Sequence, residues 1–365
     1  MSAFYGLNFS TPLEDLIPPP TTVNDTHKVY SIAVSSIVLG VITTLVVFIR
    51  LGTRLTSKTL GPDDYAIIPA TVLYIGWIAL AGYMNLNAGI GKPLWEITVG
   101  EYGRWYQGIV AALFLYPAMS ASVRISILLL YLRVFAQGNR RRALVLYASL
   151  ALQGIYVVVF SILPGFVCRP IDNVKYPLEH TTYCDDVFYA HVQTGLYSVS
   201  VGYDIILLVL PISWAFKLQL PMRKRVGLVI ILGFGAGSSV AAAYKLAVQI
   251  TETWDHKPRS LQWYNYLMSR FVPTQFETYG RTFWVPSVVE PTVALIGASL
   301  PALYQLSMQT SQKLSSMKAS PENSKLSGSG VPSGRKDLFG GRARTLGSGY
   351  QSMNDSDIEL HRLAV

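Results

Sequence analysis

Apolar residues run along this chain in long blocks, not at the one-face spacing of a soluble helix or the alternation of a half-buried strand. Seven blocks reach the roughly 20 apolar residues that a helix needs to cross hydrocarbon. They cover residues 29–50, 63–84, 105–135, 143–163, 187–216, 226–250 and 283–306. The breaks between them carry backbone signals. Gly61-Pro62-Asp63-Asp64-Tyr65 interrupts the chain, and Asp63 or Asp64 is a natural cap for the positive end of the helix that follows. Pro164-Gly165 ends the fourth helix. The sixth block is crowded with small residues, among them Gly233, Gly235, Gly237, Ser238, Ser239 and Ala241 to Ala243. Small residues let helices approach closely, which places this helix inside a bundle.

The polar segments set a direction. Arg50, Arg54 and Lys58 follow the first block, Arg133 and Arg140-Arg141-Arg142 the third, and Lys217, Arg223, Lys224 and Arg225 the fifth. Basic residues beside apolar spans mark the cytosolic side. The expected fold is therefore an all-α bundle of seven transmembrane helices, with the N-terminus outside and the C-terminus in the cytosol. Residues 1–28 form an exoplasmic segment, 29–307 the helical domain and 308–365 a disordered tail rich in Ser and Gly. Residues 1–28 lack a basic start followed by an apolar core, so the first span is expected to act as an uncleaved anchor. Asn8 and Asn24 open glycosylation sequons and fit an outside N-terminus.

Composition strengthens this reading. The 365 residues are 51% hydrophobic and only 14% charged, with a mean hydropathy of +0.34. Soluble domains carry about a quarter charged residues. The chain reads as a multi-pass integral membrane protein of an endomembrane or the plasma membrane, with the lipid bilayer as its first partner. Its net charge of +9 follows from topology, and no nucleic-acid partner is expected.

Chemistry is expected where ionisable groups fall inside the spans. Arg124, Asp204, Lys245 and Glu290 do so, and such residues turn toward protein or trapped water. By depth, Arg124 can meet Asp204, and Lys245 can meet Glu290. These are either structural ion pairs that fix helix register or a polar pocket opening outward. In the second case Asp204 and Glu290 are the candidate catalytic acid and base. Arg124 and Lys245 would then stabilise negative charge, with Tyr203 and Trp284 as further ligand contacts. Cys168 and Cys184 share one outside loop and most simply form a disulfide, with catalytic thiol chemistry as the alternative. The aromatic-rich stretch 251–282 suits a membrane interface or a lid. No metal site, nucleotide-binding loop or cofactor is expected.

Several stretches together resemble the fungal rhodopsin-like domain family of seven-span membrane proteins. They are Gly61-Pro62-Asp63-Asp64-Tyr65, Gly89-Ile90-Gly91, residues 124–135, Cys168 and Cys184. Asp204 through Leu210-Pro211, residues 220–227, and residues 284–290 leading to Leu300-Pro301 complete the set. The resemblance runs from about Tyr30 to Leu306. It departs from the family at Arg124, where Lys is usual, and at Pro93, where His is frequent. The segment before the last span is also longer than usual. The family name refers to topology, and residues 283–306 contain no Lys to form a retinal Schiff base. Members include proteins of secondary-metabolite gene clusters and relatives of surface-sensing receptors. The resemblance thus implies a membrane component that handles or converts a lipophilic small molecule, by cyclisation or isomerisation through acid–base chemistry. The alternative is a receptor-like sensor with a cytosolic signalling partner. Transport is a weaker option, since no internal repeat is apparent.

Overall fold

The computed structural model describes residues 20–93, 96–136, 139–168, 184–215, 222–254 and 281–319. Among these residues there are seven α-helices: α1 Ser31–Thr56, α2 Pro62–Asn87, α3 Val99–Phe135, α4 Arg140–Ile162, α5 Asp186–Ala215, α6 Met222–Trp254 and α7 Arg281–Ala319. A short 3-10 turn, Leu163–Phe166, continues α4. Six of the seven are long and apolar enough over their described residues to cross a membrane. The chain divides into two compact units, Met1–Tyr304 and Gln305–Val365. Asn8, the aromatic stretch beyond Trp254 and most of the expected tail lie outside the described residues.

Helix starts are set by caps. At α2 the Gly61 N–H donates to Asp64 Oδ2 at 3.0 Å, with Pro62 in the first turn. Asp64 is thus the capping acid, and Asp63 is free for another use. At α3, Thr98 and Glu101 cap each other reciprocally. This starts the helix at Val99, ahead of the apolar run. Asn139 Oδ1 accepts from Arg141 N and Arg142 N at α4. Asp185 Oδ1 does the same for Val187 N and Phe188 N at α5.

Two polar lattices hold the ends of the bundle. At the basic end, Arg50 Nη2 donates to Asp63 Oδ2 at 2.6 Å and Arg50 Nε to Asp64 Oδ1 at 3.0 Å. Its Nη1 reaches the Ala298 carbonyl. Arg133 Nη1 meets Asp63 Oδ1 at 3.3 Å. These contacts tie α1, α2, α3 and α7 together. A Cβ on Gly61 would stand 2.5 Å from Arg133 Nη1 and 2.6 Å from Asp63 Oδ1, so the lattice leaves room only for glycine.

At the opposite end, buried Lys92 donates to Glu101 Oε1 at 2.6 Å and pairs with Asp25. Asn85 Nδ2 donates to the carbonyls of Val29 and Ile90. Gly91 has φ +97°, and a Cβ there would strike the Val29 carbonyl. The same end carries the Cys168–Cys184 disulfide, with the Tyr106 hydroxyl 3.6 Å from Cys168 Sγ.

The outer surface is apolar. Leu144, Tyr147, Leu152, Ile155, Val158 and Ile162 of α4 are exposed, while Leu146, Ser149, Gln153, Tyr156 and Phe160 are buried. A helix with its greasy face outward and polar residues turned in belongs in lipid. The protein is a multi-pass integral membrane protein. In α6, Ser238, Ala242, Lys245 and Gln249 are buried, whereas Val240 and Tyr244 are exposed. That helix therefore turns one face inward and is not surrounded by the bundle.

Candidate functional site

Midway along the bundle α3, α5, α6 and α7 each contribute charged or polar side chains to one buried cluster. From α3 come Tyr116, Ser120 and Arg124, spaced by four so that they share one face. Ser200 and Asp204 repeat that spacing on α5. Arg124 Nε donates to Asp204 Oδ1 at 2.9 Å. Its Nη1 donates to Ser120 Oγ at 3.0 Å, and its Nη2 to the Ser200 carbonyl at 3.2 Å and to Ser200 Oγ. On the other side Lys245 Nζ pairs with Glu290 Oε2 and donates to the Tyr116 hydroxyl at 2.6 Å. That hydroxyl donates in turn to Glu290 Oε1 at 2.8 Å.

The two pairs expected from depth are both present, and they are not separate. Arg124 Nη2 lies 3.8 Å from Glu290 Oε1. Two cations and two carboxylates therefore form one neutral group, which is how a low-dielectric interior tolerates four charges. Aromatic faces complete the lining. Lys245 Nζ sits 4.0 Å from the centre of the Tyr116 ring and 4.6 Å from that of Tyr197. The Arg124 guanidinium lies 5.9 Å from Tyr156 and 6.0 Å from Tyr203.

Cavities flank the cluster on both sides and differ in size. Toward the basic end lies a cavity of about 60 Å³, bordered by Arg124, Asp204 and Glu290 and walled by Ile127, Leu207 and Gly235 among others. Toward the disulfide end the space shrinks to about 10 Å³ between Trp77, Tyr116, Tyr197 and Trp284. Trp77 and Trp284 stack there at 5.7 Å. The expectation of a pocket opening outward is therefore corrected. Bulky rings fill the outer side, whereas Gly235, Ser238, Ser239 and Gly297 leave space on the other.

Of the residues singled out from sequence, Arg124, Asp204, Lys245 and Glu290 meet, and Tyr203 borders them. Trp284 belongs to the outer aromatic layer. Tyr116, Ser120 and Ser200 were not anticipated. Their spacing of four from Arg124 and Asp204 is the signal that would have found them. Cys168 and Cys184 are joined, so neither is a free thiol. Asn24 is exposed, and its Oδ1 accepts from Thr26 N at 3.0 Å. Among the described residues no cluster of His, Cys, Asp and Glu has metal-ligand geometry.

Comparison with known proteins gives distant relatives. Wortmanamides biosynthesis cluster protein C of Talaromyces wortmannii is 27% identical over 213 residues, covering 58% of this chain and 57% of the relative. An SAT4 family membrane protein of Emericella nidulans is 27% identical over 158 residues, 42% of this chain and 40% of that protein. Receptor GIN3 of Arthrobotrys oligospora is 23% identical over 284 residues, 76% of this chain and 62% of its own. The chain thus spans between 40% and 62% of the length of these relatives. No solved structure matches it. The Fungal rhodopsin domain model matches residues 49–309, a stretch that contains all four site helices up to their polar cluster, and the chain belongs to that family.

Proposed function

We propose that this protein is a membrane component of a fungal secondary-metabolite pathway. It holds a lipophilic intermediate beside the α3/α5/α6/α7 cluster and converts it by cyclisation or isomerisation. The observation that carries this reading is the cavity bordered by Arg124, Asp204 and Glu290 midway along the bundle. The likeness to a biosynthesis cluster protein supports it.

The chemistry asked of such a site is modest. One carboxylate removes a proton from a carbon of the bound molecule, and a proton returns at another carbon. Atoms and charge balance without an oxidant. Asp204 and Glu290 are the acid and base. Arg124 and Lys245 stabilise negative charge that develops on a substrate oxygen. The Tyr116 hydroxyl, between Lys245 and Glu290, is placed to relay a proton between them.

The test is metabolite profiling of a deletion strain complemented with variants. Asp204→Asn and Glu290→Gln each keep a carbonyl oxygen for their partners. Both are expected to stop product formation while the protein remains in the membrane. Loss of the protein itself would assign the cluster to holding the helices together. The second reading is a receptor-like sensor, favoured by the likeness to a protein named as a receptor. A version truncated after Leu306 separates the two. Restored metabolite argues for the pathway role, and unrestored metabolite with normal protein level argues for signalling through the tail.

A further inference from the structure

We propose that the cavity toward the basic end receives the uncharged, hydrogen-bond-donating head of a lipophilic molecule, an alcohol or an amide N–H, with Asp204 Oδ2 as its acceptor. This rests on the reading of the site given above and names its ligand class.

The acceptor comes first. Asp204 Oδ1 takes the Arg124 Nε–H at 2.9 Å. Its Oδ2 is buried and has no hydrogen-bond partner among the described residues. The side chain is nine-tenths buried, at 10% exposure, and it borders the cavity. A buried carboxylate oxygen without a donor is costly, so it selects for a molecule that brings one.

Charge then narrows the donor. Arg124 already occupies the same carboxylate, and the cluster is balanced by Lys245 and Glu290. An ammonium head would add a third cation beside Arg124. A carboxylate head would set acceptor against acceptor. A neutral O–H or N–H satisfies Oδ2 and leaves the balance intact.

The walls and the size define the rest of the molecule. Val123, Ile127, Leu207, Leu208 and Ala294 surround the polar edge. About 60 Å³ admits a head of only a few heavy atoms, since one water occupies roughly 10–15 Å³ on this measure. The body of the ligand must leave the cavity and lie along helices or among acyl chains. The molecule is therefore lipophilic and enters from the bilayer.

The experiment uses the full chain in phosphatidylcholine nanodiscs with three photoreactive probes. They are a dodecanol carrying an alkyl diazirine, the matching dodecylamine and the matching dodecane. The alcohol is expected to label residues of α5 and α6 beside the cavity. Labelling should fall about tenfold, the worth of one hydrogen bond, in Asp204→Asn, which replaces the acceptor with a donor. It should fall as far in Gly235→Leu. Gly235 lines the cavity, and a Cβ there meets only Leu208 Cδ1, at 3.6 Å, so a side chain at this position takes up cavity space. Should Asp204→Asn fail to reconstitute, Gly235→Leu and the comparison of probes still decide.

Equal labelling by the amine overturns the uncharged head, and equal labelling by the alkane overturns the role of Asp204. No labelling means that the cavity takes no alcohol head, and labelling unchanged in both variants means that the probe lies elsewhere; either result overturns the proposal. The pathway reading stands or falls separately. A deletion strain that loses its metabolite keeps that reading even if the probes fail. A strain with unchanged metabolites sinks it even if the alcohol binds through Asp204.

Discussion

Lys245 and Glu290 are costly to remove singly and cheaper to remove together. Both are buried, and each is the other's nearest opposite charge. Lys245→Met would leave a carboxylate facing only the Tyr116 hydroxyl and a guanidinium 3.8 Å away. Breaking a buried pair in this way costs about 3 kcal/mol or more. The double variant Lys245→Met/Glu290→Gln removes both charges and is expected to recover at least half of that loss, read as unfolding temperature in detergent. Additive losses would show that the two side chains do not act as a pair. Gly61 gives a second contrast. A methyl group there meets Arg133 Nη1 and Asp63 Oδ1, which are already fixed by their own ion pairs, so Gly61→Ala should cost about 1–3 kcal/mol. Gly52, near the end of α1 with nothing within 4 Å of its Cβ position, should behave oppositely. Gly52→Ala should stabilise by about 0.5–1 kcal/mol through helix propensity.

Among the elements, the segment before α1 has an attachment that depends on pH. The hydrogen bond from Lys92 holds the Asp25 carboxyl below its ordinary 3.8, against a smaller opposing effect of burial. Burial pushes the Lys92 ammonium down, but its hydrogen bonds to Asp25 and Glu101 leave it above its ordinary 10.5. Asp25 thus contributes stability above 3.8 and loses it as pH falls through its lowered value. Lys92 contributes below 10.5 and loses its share as pH rises through its raised value. Asp25 is half-exposed and screened by solvent, so the buried contact of Lys92 with Glu101 gives most of the stability that Lys92 supplies. Lys92→Met should lower stability by about 3 kcal/mol. The gap in unfolding temperature from wild type should stay constant from ~pH 5 to ~pH 9, and narrow only as pH falls below 3.8 or rises above 10.5. A gap that changes between ~pH 6 and ~pH 8 would sink this account.

The elements also show why the sequence revealed some things and hid others. All seven helices were legible, because hydrocarbon thickness dictates the length of an apolar run. Their ends were less so. The apolar pattern of α3 suggests a start at Trp105, yet the Thr98–Glu101 capping box and the Glu101–Lys92 pair carry the helix back to Val99. Arg124, Asp204, Lys245 and Glu290 stood out because a charge inside a span must face inward. The hydroxyls of Tyr116 and Ser200 carry no such penalty in a membrane helix and blended into their surroundings. The Asp25–Lys92–Glu101 lattice joins two loop residues far apart in sequence to the first turn of α3, where the apolar pattern gives no sign of it. The placement of the larger cavity follows from residue volume, with rings on one side of the cluster and Gly and Ser on the other. That contrast becomes visible only once the helices are set in register.

For the whole molecule, the face of the membrane that each end meets decides where a ligand arrives. Two independent features give the same answer. Arg50, Arg54 and Arg133 gather at one end, the end that the charge bias of membrane proteins assigns to the cytosol. The Cys168–Cys184 disulfide is at the other, and disulfides persist where the compartment is oxidising. The cavity lies on the basic side of the cluster, so this orientation gives it to the cytosolic half of the bilayer. Both native cysteines are bonded, which leaves a clean background for thiol labelling. Thr22 and Ser57 are exposed at opposite ends of the bundle. A membrane-impermeant maleimide should label Thr22→Cys only from the exoplasmic side and Ser57→Cys only after the membrane is opened. The reverse pattern would place the disulfide in a reducing compartment and move the cavity to the exoplasmic leaflet. A lipophilic intermediate made in the cytosol would then have to cross the bilayer before it could reach Asp204.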